Sequence, residues 1–586
     1  MNTQLVKTLV VVLLLEITSI LWSQEVSDTT RQGESIMASQ KRELPPIQLQ
    51  EYTIVGLAKI SLPHKVRTQA FHELDITWSE NEEIFVKEVP DVSFQVARIK
   101  PTLLQLYDFP WLDSRLHYGA YNTAGLNVKM QFKAQNTLPY LMVDFQRSDG
   151  HLRNAQWTTA GMLAGVHQKI GDIHLLHGYT DYSLNKKGIW GFRDRYTENW
   201  ETLTTFWEIG GEIEDRWSDN WRTHFIGTYF FDEHENAFTY SDNGFDLGGS
   251  ANLTIKNTSL TLKGAIQTSD LEVSDGNLNH SSPDTLRYSG TTTSLFSGQV
   301  NLQQYFHSLT AEIGVRYQQS EDEYVHSGTK SDENKRFSPQ LSISAGFEGR
   351  GKIYVRYRPG LEIRRFRTAL QVIPFSELEG IKALNYNSRW EAGFDWHTSS
   401  ALNLQLLSRY SEMKNYLAII APSDSLQVVF TDGGYPGWIY GTLDRVKIQE
   451  VYVKLDWGMK SKLKMLSWLN WRQSDIRQAG YFSRSILGNE IPYLPSISAH
   501  AELRWNFYRQ HELKLWGDYV GSRYDDLENQ VKVKGYALVN TSLHLYLGKG
   551  FWFFIGGQNL FDTRYQEFRG FTAPGITGIF GWRLTM

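Results

Sequence analysis

A two-residue alternation of apolar and polar side chains recurs from about residue 92 to the C-terminus and constrains this chain most strongly. In residues 352–364, Ile353, Val355 and Ile363 alternate with Lys and Arg, and the same pattern returns at 451–457 and 502–507. Successive side chains of a β-strand point to opposite faces, so the pattern predicts strands with one apolar and one polar face. A soluble β-sandwich alternates in the same way, so alternation alone does not distinguish it from a membrane barrel.

The turns between these strands form two classes that alternate along the chain. Ten short polar turns are centred near residues 135, 171, 219, 257, 307, 349, 397, 460, 509 and 549. Eleven longer polar stretches fall between them, at 101–115, 147–153, 181–200, 232–244, 270–290, 320–336, 367–384, 415–442, 473–496, 523–535 and 564–575. Together they join 22 strands. Short turns on one side, long loops on the other and an even strand count are typical of an outer-membrane barrel.

A membrane location requires the sheet to close. An open edge in hydrocarbon would leave backbone N–H and C=O groups unpaired, at several kcal/mol each. We therefore predict an all-β fold, a transmembrane antiparallel β-barrel of about 22 strands with short periplasmic turns and long extracellular loops. The last strand alternates up to Met586, with Phe580, Trp582 and Leu584 on one face. This strand is predicted to contact the barrel-insertion machinery, and the apolar face to contact outer-membrane lipid.

The N-terminus carries a predicted secretory signal peptide over residues 1–23. Lys7 precedes the apolar run 9–15, and the small residue Ser23 ends the segment. A buried N-terminal helix is the alternative, although the run is short and a polar stretch follows it directly. The remaining chain divides into a periplasmic N-terminal segment, 24–91, and a barrel, 92–586. Export followed by membrane insertion predicts the outer membrane of a Gram-negative cell.

Composition and spacing exclude several other functions. The chain has no cysteine, which excludes disulfides, a thiolate zinc site and a lipidated N-terminal Cys. Its net charge of −5 provides no basic surface for nucleic acid. His174 and His177 would point to opposite faces of a strand, and Ser411 with Lys414 has no companion motif. We therefore predict no enzyme activity, no catalytic residue, no cofactor and no metal site.

The C-terminal stretch resembles the TonB-dependent receptors, 22-stranded outer-membrane transporters of Gram-negative bacteria. The matching residues are Asn559, Leu560, Phe561, Asp562 and Tyr565, which reproduce the family signature Asn-Leu-Phe-Asp-x-x-Tyr. The long aromatic strands and the Gln at the predicted cleavage site are similar to those of Bacteroidetes sequences. The resemblance implies a barrel that transports or admits a solute across the outer membrane.

The chain departs from this family in its N-terminal segment. Family members carry a globular plug that fills the wide lumen. Residues 24–91 are too few for a full plug, so we expect a missing or truncated one, either plug-like or extended. Within this segment Glu51, Tyr52, Thr53, Ile54 and Val55 resemble a TonB box, although an extended tail of that composition arises easily by chance. Coupling to TonB is therefore open at this stage.

Two sets of residues are candidates for contact with a solute. Aromatic side chains in the predicted loop 415–442 form a candidate capture surface, namely Tyr435, Trp438 and Tyr440. Basic side chains on the polar face of several strands are predicted to line the lumen, namely Lys352, Arg356, Arg358, Lys454, Arg504 and Arg583. A basic wall would favour anionic solutes or bind an acidic segment. Alternatively, these cations pair with acidic residues on neighbouring strands and only satisfy a polar interior.

Two functions from different classes follow from these observations. The first is a transport protein with external loops that capture a solute. The second is a plug-less structural barrel that acts as a scaffold or partner in an outer-membrane secretion or assembly complex. Family resemblance favours the first and the missing plug favours the second. TonB is the expected partner in one case and an envelope protein complex in the other.

Overall fold

The computed structural model describes most of the chain from residue 111 to residue 586. The gaps lie at 133, 135, 153–154, 172, 189–200, 236–237, 276–288, 326–328, 348–350, 364, 366–376, 379–381, 399–401, 421–438, 460–461, 480–483, 509 and 570. The predicted signal peptide, the segment 24–91 and the TonB-box-like residues lie outside the described residues.

Strands dominate the described part of the chain. The first ten are β1 (Leu112–Gly119), β2 (Thr123–Gln131), β3 (Thr137–Ser148), β4 (Trp157–Ile170), β5 (His174–Gly188), β6 (Glu201–Arg216), β7 (Trp221–Glu235), β8 (Phe238–Ile255), β9 (Thr258–Asp275) and β10 (Ser289–Phe306). The next ten are β11 (Leu309–Val325), β12 (Thr329–Phe347), β13 (Gly351–Tyr357), β14 (Gly360–Glu362), β15 (Glu377–Leu378), β16 (Leu384–Thr398), β17 (Leu402–Lys414), β18 (Tyr416–Ile420), β19 (Ile439–Leu443) and β20 (Arg445–Met459). The last eight are β21 (Leu463–Gln478), β22 (Ile497–Tyr508), β23 (His511–Val520), β24 (Arg523–Tyr524), β25 (Lys532–Val533), β26 (Tyr536–Gly548), β27 (Phe551–Gln558) and β28 (Thr577–Thr585). Two single-turn 3-10 helices cover Ala120–Asn122 and Arg484–Ile486.

One antiparallel sheet contains all strands except β15, β18, β19, β24 and β25. Its 23 strands form 22 barrel strands, because β13 and β14 both pair with β16 and act as one interrupted strand. The sheet closes where β28 pairs with β1, in a register that runs from Asp113↔Thr585 to Gly119↔Ile579. The prediction of a closed, all-β, antiparallel barrel of 22 strands is confirmed.

The two faces of the barrel differ in polarity. On β13 the apolar side chains of Ile353 and Val355 are 44% and 45% exposed on the outer face, whereas Tyr354 and Arg356 are both 4% exposed on the inner face. An outward apolar band of this kind contacts lipid. No helix in the described ranges is both long and apolar enough to span a bilayer.

The connections confirm the short turns and correct three of the long loops. Each of the ten predicted short turns falls within two residues of a break between consecutive strands. The predicted loop 101–115 overlaps β1, which a 3-10 turn joins to β2. The predicted loops 232–244 and 320–336 are mostly strand, because β7 extends to Glu235 and β11 to Val325. Polar side chains occupy both faces of these hairpins, so the alternation that marks a strand disappears while backbone pairing continues.

Aromatic side chains on the inner face pack over glycines of the neighbouring strand. Tyr140 lies over Gly165 and Tyr354 over Gly393, each too close for a Cβ on the glycine. At Gly393 an added Cβ would lie 2.1 Å from Tyr354 Cζ, and at Gly210 it would lie 2.3 Å from Tyr179 Oη. Because buried aromatic rings cannot shift easily in a packed wall, these pairs fix the position of adjacent strands.

A separate apolar core lies on the inner side of the wall from β16 to β21. Its members are buried side chains from the strands and from the connections that follow them, including Leu443, Val446, Ile476, Ile486 and Ile491. Ile491 also donates its backbone N–H to Ser474 Oγ at 3.0 Å. Burial of this apolar surface holds the connection after β21 against the barrel.

Candidate functional site

A row of alternating charges crosses five neighbouring strands on the inner wall. Arg356, Glu391, Arg409, Glu450 and Arg472 are consecutive partners in the registers of β13, β16, β17, β20 and β21. Arg409 Nε lies 3.1 Å from Glu391 Oε1, and Arg472 Nε lies 2.6 Å from Glu450 Oε1. We call these five residues the charge row. Each carboxylate lies between two guanidinium groups, so the row is largely neutralised within the wall.

Arg365 connects two walls of the barrel that are not neighbours. It follows β14, and its Nη1 lies 3.1 Å from Glu208 Oε2 on β6, while its Nη2 pairs with Asp246 on β8. Four strands, β9–β12, separate β8 from β13 in the sheet. The contact must therefore pass through the interior of the barrel. We call Arg365, Glu208 and Asp246 the Arg365 bridge.

The wall side of the Arg365 bridge is held in place by its neighbours. Tyr179 donates its hydroxyl to Glu208 Oε1 at 2.9 Å, and Glu208 is buried. The Arg365 guanidinium lies 4.3 Å from the ring centroid of Phe230, which is buried on β7. A carboxylate fixed by a second hydrogen bond and a cation over an aromatic face form a stronger contact than an exposed pair. The sequence analysis did not single out these residues, because pairing between distant strands leaves no spacing signal.

All six predicted luminal basic residues lie on the inner face of the barrel wall. Three of them form ion pairs, as the pairing alternative expects: Arg358 with Glu312, Arg504 with Glu502 and Arg583 with Asp113. Arg356 belongs to the charge row, Lys352 Nζ lies 5.7 Å from the Tyr354 ring centroid, and Lys454 is in register with Trp468. The structure therefore does not gather them into one site.

The signature residues build the connection between β27 and β28. Asn559, at φ 49°, accepts the Thr563 N–H at 2.8 Å and donates to the carbonyls of Thr563 and Pro574. Asp562 Oδ1 accepts the Ile576 N–H at 3.0 Å. Tyr565 packs 4.2 Å from the ring of Tyr536, and burial, followed by the nearby Glu567, raises the pKa of its hydroxyl. Leu560 donates its N–H to Val539, and Phe561 is exposed. These residues have a structural role in this turn.

The predicted capture aromatics fall largely beyond the described ranges. Tyr435 and Trp438 lie outside the described residues, and Tyr440 lies in β19. β19 pairs with β18 and, in parallel, with the two-residue strand β15, so the connections after β14 and β17 share a small sheet. Backbone pairing thus joins two connections on the long-loop side of the barrel.

The histidines lie as the strand geometry predicts. His174 is on the outer face and its Nδ1 lies 2.6 Å from Asp215 Oδ1, whereas His177 is on the inner face and its Nε2 lies 2.9 Å from Tyr140 Oη. Within the part of the chain that the structure describes, no group of three or more metal-ligating side chains is close enough to hold an ion.

The closed sheet, the apolar outer face and the polar inner wall define an outer-membrane β-barrel. The family model "TonB dependent receptor-like, beta-barrel" matches residues 106–560. The chain belongs to this family, whose members are outer-membrane proteins of Gram-negative bacteria, and the membership implies an interaction with TonB.

Solved structures share the fold at low sequence identity. The siderophore receptor PiuA from Acinetobacter baumannii is 12% identical with a TM-score of 0.61, over 81% of each chain. The ferric yersiniabactin uptake receptor FyuA from Yersinia pestis is 13% identical with a TM-score of 0.62, over 83% of this chain and 81% of that one. The FrpB iron transporter from Neisseria meningitidis is 13% identical with a TM-score of 0.63, over 82% and 81%.

Proposed function

We propose that this chain transports a solute across the outer membrane through its barrel, and that the Arg365 bridge controls passage. The bridge is the observation that carries the proposal. It is a charged contact across the interior of the barrel. In the sequence, Arg365 is separated from Glu208 by 157 residues and from Asp246 by 119 residues. Such a contact can open without disturbing the backbone pairing of the wall, because neither partner of Arg365 lies on a strand adjacent to β14.

The structural relatives support transport as the shared activity. By their own descriptions they are a siderophore receptor, an uptake receptor and an iron transporter. We extend to this chain only what these activities have in common, the passage of a solute through a barrel. Their particular cargo is a property of those proteins.

The N-terminal segment supplies the coupling in this proposal. Residues 51–55 would act as the TonB contact, and residues 24–91 as a reduced plug. The C-terminal strand β28 would contact the barrel-insertion machinery during assembly. Deleting residues 51–55 should abolish energy-dependent uptake while leaving the amount of folded barrel unchanged.

The scaffold alternative and enzyme activity are both less well supported. Family membership and the relatives favour transport over a structural barrel in a secretion or assembly complex. Members of the family act as receptors and transporters, and we propose that this chain likewise carries no catalysis. A scaffold would copurify with fixed partners in constant ratio, which a solute transporter does not require.

The conductance of the purified full-length protein in a planar bilayer tests the proposal. Arg365→Gln removes the charge that bridges the walls and should raise conductance above that of the wild type. Arg147→Gln is the matched control, because Arg147 pairs with Asp149 at 3.4 Å on an exposed surface. It should leave conductance unchanged.

The segment 24–91 is tested in the same assay. Conductance that appears after its deletion would support a reduced plug. Large, steady conductance in the wild type would indicate a diffusion pore and would contradict the proposed coupling to TonB. If the wild type, Arg365→Gln and the deletion all stay closed, the transport proposal fails and the scaffold function is favoured.

A further inference from the structure

We propose that the inner wall binds an anionic group of a small solute, a carboxylate or a phosphate, where the last barrel strand meets the first. The site consists of Arg115, Asp113, Arg583, Lys129 and Phe554, which we call the seam patch. This inference rests on the proposed transport function and deepens it, because it assigns a chemical class to the solute.

Two arginines face each other directly at this position. Arg115 on β1 and Arg583 on β28 are register partners, and both point inward, since their neighbours Leu116 and Trp582 are exposed on the outer face. Like charges directly opposite in an antiparallel pair repel. A stable pairing at this position therefore requires negative charge nearby.

The nearby carboxylate of Asp113 forms an ion pair with only one of the two arginines. Asp113 accepts a hydrogen bond from Arg583 Nε at 2.9 Å and another from Arg583 Nη2 at 2.8 Å. Within the described residues, Arg115 forms no ion pair and donates no side-chain hydrogen bond. Lys129, in register with Asp113, adds a third cation to this part of the wall. Two further carboxylates lie on the wall to either side: Asp144 on β3, two strands away from β1, and Glu512 on β23, three strands away from β28.

Phe554 holds the Arg115 guanidinium in a defined orientation. The guanidinium carbon lies 5.4 Å from the Phe554 ring centroid, within the range of a cation–π contact. The ring itself is buried and packs over Gly581, where an added Cβ would lie 2.6 Å from Phe554 Cζ. The aromatic face covers one side of the guanidinium, and Arg115 as a whole is only partly buried.

The chemistry of the guanidinium defines the ligand. A guanidinium presents paired N–H donors that match the two oxygens of a carboxylate or phosphate. An anion at Arg115 would also reduce the repulsion with Arg583, so ligand binding and wall pairing favour each other. A cationic or neutral solute would gain neither effect.

Line broadening of inorganic phosphate in ³¹P NMR, with purified full-length protein in neutral detergent, tests the site. The wild type should broaden the phosphate signal in a saturable way. Arg115→Gln should weaken the apparent affinity about tenfold, which corresponds to losing one charge-assisted, bidentate contact. Arg115→Lys keeps the charge and loses the paired donors, so it should weaken binding less. Lys335→Gln is the control, because it removes an outer-face cation that is paired with Glu333 at 2.6 Å.

The outcomes separate this inference from the proposed function. Saturable broadening in the wild type and in Lys335→Gln, weakened in Arg115→Gln, supports the seam patch. No broadening by the wild type, or equal broadening by Arg115→Gln, would overturn it. An equal loss in Lys335→Gln would show general attraction to charge and overturn it as well. If the protein binds phosphate but never conducts, the anion site stands and the transport proposal fails. If the protein conducts but does not bind phosphate, the transport proposal stands and the anion site fails.

Discussion

Arg583 on the last barrel strand donates two hydrogen bonds to Asp113 on the first, across a sequence separation of 470 residues. The two side chains are partly buried on the inner wall. Their contact is diagonal, because Asp113 is in register with Thr585 and Arg583 with Arg115. Closure of the barrel thus depends on a charged contact as well as on backbone pairing.

Asp113→Asn should destabilise the barrel by about 1–3 kcal/mol, because it removes the charge that compensates Arg583 and leaves two like charges in register. Urea unfolding followed by tryptophan fluorescence measures the change. Asp149→Asn, at an exposed loop carboxylate, should stay within about 0.5 kcal/mol of the wild type. Equal stability of Asp113→Asn and the wild type would contradict the role assigned to Asp113.

Gly210→Ala should cost about 1–3 kcal/mol, since its Cβ would overlap the hydroxyl end of Tyr179, which is bonded to Glu208. Gly178→Ala is the matched control, because nothing lies within 4 Å of an added Cβ there. That change should stay within about 0.5 kcal/mol. The same unfolding measurement compares the two variants, and a larger loss at Gly178 would reject the packing argument.

Glu450→Gln should destabilise the barrel by about 3–5 kcal/mol, because Glu450 is buried between Arg409 and Arg472 in the charge row. Replacing the carboxylate leaves two buried cations without their shared anion. Glu201→Gln changes a half-exposed pair with Lys186 and should cost no more than about 1 kcal/mol. Similar losses of stability in both variants would mean that burial does not strengthen the ion pairs of the charge row.

Asn559→Ala should loosen the turn after β27, because the side chain satisfies three backbone groups and Asn tolerates a positive φ better than Ala. Trypsin should then cleave faster after Arg564 or Arg569. Phe561→Ala alters a signature residue that is 76% exposed and should leave the cleavage rate unchanged. If only Phe561→Ala is cleaved faster, Phe561 stabilises the turn and the role proposed for Asn559 is wrong.

The strands and their short turns were predictable because their signal is local. Alternation along one strand, such as Lys352–Tyr357, is decided by neighbouring residues and by the two environments on either side of the sheet. The ten short turns follow, since each falls between two such strands. The signature at Asn559 was found for the same reason, because the hydrogen bonds of its side chain reach only as far as Pro574.

The hairpins at 232–244 and 320–336 were predicted wrongly as loops. Sequence patterns detect a strand by the contrast between its two faces. In the hairpin 232–244, Asp232 and Asp242 lie on the inner face, and Glu233 and Ser241 lie on the outer face. Such a strand is defined by its backbone hydrogen bonds alone. The types of its side chains do not reveal these bonds, so the sequence pattern does not predict the strand.

The sequence by itself determined the class of fold, the number of strands and the face on which each basic residue lies. Only the tertiary structure decided which of these residues meet. The Arg365 bridge and the pairing of Arg115 with Arg583 join positions that are far apart in the chain, and both depend on the register at which each strand meets the next. A slip of one residue would turn a strand's inner side chains outward, so these contacts exist only once the whole barrel has closed.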